Sequence, residues 1–156
     1  MGWESIMAAA LPGALGLLLL SAGLEDVRVR EIANWKNGAI AALAPAWWWA
    51  NGWGPWPEVA TQVGIAAGTF ALFAGAFQLG MMGGGDVKMI AALALWFPLS
   101  AFAQLLVVMS IAGGVITVAL MIERAWKKNE VEVPYGVAIA IAGLLALREP
   151  ILNPFQ

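Results

Sequence analysis

Residues 89–122 contain no charged side chain. A soluble helix of that length would carry a polar face, and this stretch shows none, so it calls for a solvent other than water. It is also too long for one straight crossing of the roughly 30 Å hydrocarbon core of a bilayer. Phe97-Pro98-Leu99-Ser100 supplies a break, because proline removes a backbone donor and disfavours helix in the residue before it. The stretch therefore reads as two membrane segments, a short one before Pro98 and a long one over about 101–122.

The rest of the chain repeats the pattern. Of its 156 residues 62% are hydrophobic and 12% charged, about half the charged share usual in a soluble domain. Further apolar segments cover 6–24, 38–53 (short, and interrupted by Pro45), 59–82 and 135–147. The expected fold is all-α: one membrane-embedded domain over 1–156, a polytopic bundle of about six transmembrane helices. The start, Met-Gly-Trp-Glu, lacks the basic region of a cleaved signal, so 6–24 reads as a true span.

Six crossings place the loop after the first span, the turn after the third and the loop after the fifth on one side. Arg28, Arg30, Lys36, Lys88, Arg124, Lys127 and Lys128 fall there, and only Arg148 falls on the other side. The positive-inside rule makes the basic side cytoplasmic and leaves both termini outside. Trp3, Trp47, Trp48, Trp49, Trp53, Trp56 and Trp96 cluster near expected outer ends, with Trp35 and Trp126 near inner ends. That is the pattern of an interfacial belt. Gly75, Gly80, Gly113 and Gly114 are positions where helices can approach closely. No internal repeat points to an inverted-repeat transporter.

Absent residue types narrow the chemistry. There is no cysteine, hence no disulfide, thiolate nucleophile or thiolate metal site. There is no histidine, hence no Ser-His triad and no imidazole zinc site. Hydrolytic chemistry would rest on carboxylates, a lysine or Tyr135. A net charge of −2 gives no argument for a nucleic-acid partner.

The only aspartates are Asp26 and Asp86. Asp26 follows the first span and Asp86 lies in the turn between the third and fourth, so the topology returns them to the same surface. A carboxylate at a membrane boundary is costly and usually has a function or a partner. Two facing carboxylates resist double ionisation, so one keeps a proton while its partner takes a proton from water. The residues alone leave a plainer alternative open. Asp86 can cap the fourth helix, and Asp26 can be a solvated loop charge paired with Arg28 or Arg30. Gly83-Gly84-Gly85 ahead of Asp86 fits a turn, or a backbone that lets an extended peptide come close.

Taken together, Asp26-x-Arg28-x-Arg30-x-Ile32-x-Asn34, Gly83-x-Gly85-Asp86-x-Lys88 and Pro134-Tyr135-Gly136 resemble three motifs of the prepilin peptidase family of Gly-x-Gly-Asp aspartic peptidases. The resemblance covers most of the chain. It departs at Ala33, where the family often has proline, and at Glu31, where a basic residue is common. Without a cysteine-bearing cytoplasmic insertion the chain looks like the short form associated with Flp-type (tight adherence) pili.

The resemblance implies an aspartic endopeptidase in the bacterial cytoplasmic membrane that removes the basic leader of type IV prepilins at the cytoplasmic face, without N-methylation. It implies Asp26 and Asp86 as the catalytic pair, with Gly83 and Gly85 lining the cleft and no metal or organic cofactor. Lys88 is a candidate to steady the ionised pair, or else a snorkelling anchor. Asn34 is a candidate to orient the Asp26 loop or cap the second span. Arg28 and Arg30 suit lipid headgroups. Glu25 is the substitute carboxylate, and Glu123, Glu130 and Glu132 read as solvated loop charges. The rival readings are a presenilin-like peptidase, a Ser-Lys peptidase pairing Lys88 with Ser100 or Ser110, and a small non-enzymatic transporter or assembly subunit using the aspartates as an ion or structural site.

Overall fold

The structure, a computed structural model, describes residues 2–127 and 134–148. Among them are six α-helices and no strand: α1 (Trp3–Val29), α2 (Asn34–Ala50), α3 (Ala60–Gln78), α4 (Gly84–Ala94), α5 (Leu99–Lys127) and α6 (Tyr135–Ala146). Three segments are long and apolar enough to cross a membrane: Ile6–Val29, Pro55–Gln78 and Leu99–Glu123. Helices α2, α4 and α6 are shorter, at 17, 11 and 12 residues. At about 1.5 Å per residue, α4 rises only about 16 Å, roughly half the hydrocarbon core.

Contacts fix the relative directions. Asp26 of α1 meets Val137 of α6, while Gly16 of α1 meets Leu144 and Leu147. These two helices are therefore antiparallel. Phe77 of α3 lies over Gly84, and Gln62 reaches the far end of α4. Asn37 at the start of α2 bonds Gly85, and Trp48 near its end bonds Leu95, so α2 and α4 run parallel. One end of the bundle thus gathers the C-termini of α1 and α3 with the N-termini of α2, α4 and α6. Arg28, Arg30, Lys36 and Lys88 sit at this end, and Arg148 follows α6 at the other. Lys128, Glu130 and Glu132 lie outside the described residues.

The short helices occupy the middle. Helix α4 packs against α2, α3 and α6 and buries Val87, Met89, Ile90, Ala92, Leu93 and Ala94. Beyond Lys88 this helix is apolar on all sides, which suits the interior. Leu15 and Leu19 of α1, Ile40 of α2 and Ile139 of α6 close the core around it. At the Pro98 break the helix end leaves carbonyls without intrahelical donors. The buried Gln62 side chain donates to two of them, on Ala94 and Phe97.

Several sequence expectations change. Helix α1 continues to Val29, so Glu25, Asp26 and Arg28 are helical, and the connection to α2 is only residues 30–33. Arg30 ends α1 in the left-handed region, φ 58°, with its N–H on the Asp26 carbonyl at 3.1 Å. Helix α2 passes through Pro45 unbroken. Trp47 and Trp96 are not in an interfacial belt. They are buried and stacked at 5.8 Å, and the Trp96 indole donates to the Ile40 carbonyl at 2.8 Å.

The expected glycine approaches are mostly elsewhere. A Cβ on Gly75, Gly80 or Gly114 would meet nothing within 4 Å, and Gly113 makes only ordinary contact with Tyr135. The tight crossings are at Gly23 against Ala140, Gly143 against Leu19, and Gly136 against Asp26.

Candidate active site

Asp26 and Asp86 line one cavity of about 390 Å³ at the basic end of the bundle, together with Arg30, Asn34, Phe77, Gly83 and Lys88. Both aspartates are buried, at 5% and 8% exposure. Five elements assemble the cavity: the last turns of α1, the 30–33 connection, the start of α2 at Asn34, the end of α3, and the glycine turn opening α4.

Asp26 is held from the far side by α6. Its Oδ2 accepts the backbone N–H of Val137 at 3.2 Å. The first N–H groups of a helix have no intrahelical acceptor and carry the positive end of its dipole, so they suit a carboxylate. Gly136 makes this approach possible, since a Cβ there would lie 2.8 Å from Asp26 Cγ and Oδ2 and from Ile32 Cδ1.

Asp86 occupies the third position of α4, and its Oδ2 accepts the Gly83 N–H at 3.3 Å. The capping role expected of it is therefore present, while its position in the cavity with Asp26 leaves it open to chemistry as well. Asp86 precedes the apolar stretch that begins at Met89. Burial, and secondarily the charge of Asp26, pushes its carboxyl up to about 6 against the opposing bond from Gly83. Asp26 is buried at the end of a helix, which removes the solvated-loop alternative.

The glycines before Asp86 act as packing positions. A Cβ on Gly85 would come 3.2 Å from Ile32 Cβ, so the bare backbone lets the 30–33 connection pass close by. Ile32 thus wedges between the Gly85 and Gly136 backbones, one near each aspartate. Lys88 Nζ donates to Asn34 Oδ1 at 2.7 Å. The N-cap of α2 is Ala33, so Asn34 ties α2 to α4 in place of the expected cap.

Glu25 does not line the shared cavity. It pairs with the buried Lys36 at 2.9 Å and accepts the Ala33 N–H at 3.2 Å, while Lys36 also donates to the Ser21 carbonyl at 3.0 Å. Proline has no N–H, so this bond exists only because residue 33 is not proline. The connection is held by a carboxylate latch. Ser100 opens α5 at the opposite end of the bundle, and Ser110 donates to its own helix at Leu106. Neither is placed to partner Lys88. Among the described residues, no group of three or more acidic side chains is arranged for a metal ion.

Two contributors escaped the sequence reading. One is Asn37, whose Nδ2 donates to the Gly85 carbonyl at 3.0 Å. The other is the Val137 N–H, which carries no side-chain signal. The Pro134-Tyr135-Gly136 motif marked its neighbourhood without giving its purpose.

The family model for type IV leader peptidases matches residues 13–118. The chain belongs to the type IV leader peptidase family. The family makes it a leader-peptidase-like aspartic protease whose substrates are prepilins in general, with three apolar helices suited to a membrane. The matched region contains Asp26 and the Gly83–Lys88 turn and ends before Gly136. No match is found among curated proteins or solved structures.

Proposed function

We propose that the chain, as a single membrane-embedded domain, cleaves the basic leader from Flp-type prepilins at the cytoplasmic face of the bacterial inner membrane, with Asp26 and Asp86 as the catalytic pair. The observation that carries the reading is the one cavity into which the chain's only two aspartates are folded from positions sixty residues apart in sequence.

The chemistry follows from the pairing. One carboxylate takes a proton from water as the water oxygen bonds to the scissile carbonyl carbon. The other carboxyl gives its proton to the carbonyl oxygen, producing a neutral tetrahedral diol. Collapse of the diol breaks the C–N bond: the leaving nitrogen takes the proton from the protonated carboxyl while the other carboxylate takes one from a diol hydroxyl, which restores the singly protonated pair. No covalent enzyme intermediate is formed. The pair titrates as a unit, so neither residue is assigned the acid role alone. Gly83 leaves the Asp86 carboxylate uncrowded, Gly85 lets the 30–33 connection pack beside it, and Lys88 and Asn34 fix the turn that carries it.

Orientation follows from charge. The cavity shares its end of the bundle with Arg28, Arg30, Lys36 and Lys88, which the positive-inside rule assigns to the cytoplasm. A basic leader stays on that side while the apolar helix behind it remains in the bilayer, so the cut site arrives at the aspartates. Without a cysteine-bearing insertion, methylation is not part of the activity.

The test is co-expression with a candidate prepilin, reading leader removal by mass. Wild-type protein removes the leader, and Asp26→Asn or Asp86→Asn abolishes removal while the protein still inserts. Processing by both variants at the wild-type level would overturn the proposal.

A further inference from the structure

A second, larger groove of about 480 Å³ opens beside the aspartate cavity. It lies between α2 and α3, with α4 as its floor. Its walls are mainly small or apolar, including Gly38, Ala41, Ala66, Phe70, Ala91 and Leu95. Asn34 and Lys88 line both this groove and the aspartate cavity, so the two lie side by side with this hydrogen-bonded pair between them. Asn37 lines the groove as well. It is 4% exposed, its Nδ2 is spent on the Gly85 carbonyl, and its Oδ1 has no hydrogen-bond partner among the described residues.

Taking the peptidase reading as given, we propose that this groove seats the first two turns of the substrate's apolar helix, just beyond the scissile bond, and that Asn37 Oδ1 accepts a free N–H from the start of that helix. The first four N–H groups of any helix lack an intrahelical acceptor. Inside an apolar groove, away from water and headgroups, such donors need a protein acceptor. A buried and unpaired amide oxygen next to the catalytic cavity supplies one at the required place.

The dimensions agree with this occupant. From Lys88 to Leu95 the floor rises about 10 Å, two turns of a helix at about 1.5 Å per residue. Small residues on all three walls let a second helix lie close, as at membrane helix interfaces. A chain leaving the aspartates reaches the groove where the Lys88–Asn34 bond joins α4 to α2, so that bond opens when substrate is seated.

The test places a photo-crosslinking phenylalanine analogue at Phe70, in the groove, or at Leu72, which is 71% exposed and outside it. Each is made in full-length protein carrying Asp86→Asn, in membrane vesicles containing a prepilin. Position 70 is expected to give adducts mapping to the first two turns of the apolar helix, about tenfold above position 72. Separately, Ala66→Phe, in otherwise wild-type protein, is expected to raise KM for prepilin about tenfold with kcat little changed, the signature of lost ground-state binding. Adducts with lipid alone, equal adducts from both positions, or an unchanged KM would overturn the groove assignment. Failure of the wild-type protein to process any prepilin would instead overturn the peptidase reading on which it rests.

Discussion

Substituting Gly136 by alanine tests how tightly Asp26 is held. The added Cβ would fall 2.8 Å from three atoms: Asp26 Cγ, Asp26 Oδ2 and Ile32 Cδ1. Ordinary carbon contacts need about 3.5 Å or more, so α6 or Asp26 has to shift by most of an ångström. Overpacking of this kind costs about 1–3 kcal/mol. A displacement near 1 Å at a reacting group lowers rates by up to about a hundredfold. The expected result is prepilin processing reduced about ten- to hundredfold, read as initial rates of leader removal by purified protein in bilayers.

Two controls separate site from scaffold. Gly75→Ala, with nothing within 4 Å, leaves the rate unchanged. Gly143→Ala, which strikes Leu19 far from the aspartates, lowers stability with a smaller effect on the rate of folded protein. Ile32→Val removes the Cδ1 contact and partly rescues Gly136→Ala. A wild-type rate for Gly136→Ala would refute the argument that the α6 N-terminus fixes Asp26.

Three further outcomes are expected. Carboxyl-labelled aspartate gives only two signals in this chain, and Asp26→Asn lowers the titration of Asp86 from its position about 6, because one of the two causes raising it is removed; an unmoved titration in carbon NMR would contradict the coupling. Since that carboxyl is raised above its ordinary 3.8, its stabilising contribution is complete below 3.8 and is lost as pH rises through about 6, so the unfolding temperature of wild type falls across that window and Asp86→Asn flattens the curve. Gln62→Leu strands the Ala94 and Phe97 carbonyls and costs about 1–3 kcal/mol, seen as a lower unfolding temperature with kcat unchanged.

The helix count and its punctuation were legible because bilayer physics leaves a coarse signal. An uncharged run of excessive length with one proline has few alternatives to two helices, and α4 and α5 meet at Pro98 as expected. The pairing of Asp26 with Asp86 followed from topology, since odd-numbered loops return to one side. What stayed hidden was three-dimensional detail without a side-chain signature. The Val137 N–H belongs to a backbone, and the role of Gly136 depends on what crosses it. Trp47 and Trp96 were misplaced because indole tolerates both an interface and a core, and composition does not distinguish them. Ala33 stood out only as a departure from the family's proline, whereas the missing proline frees the N–H that Glu25 uses. Glu25 and Asp26 are adjacent in sequence, yet successive helical side chains diverge by about 100°, which sends Glu25 to Lys36 and Asp26 to the cavity.

The central claim is that Asp26 and Asp86 act as one unit. Single-turnover cleavage of a purified prepilin by reconstituted wild-type, Asp26→Asn, Asp86→Asn and doubly substituted protein tests it most directly. Groups that act together are grossly non-additive, so each single variant is predicted to be as inactive as the double. Substantial cleavage by either single variant, or losses that multiply in the double, would contradict the account.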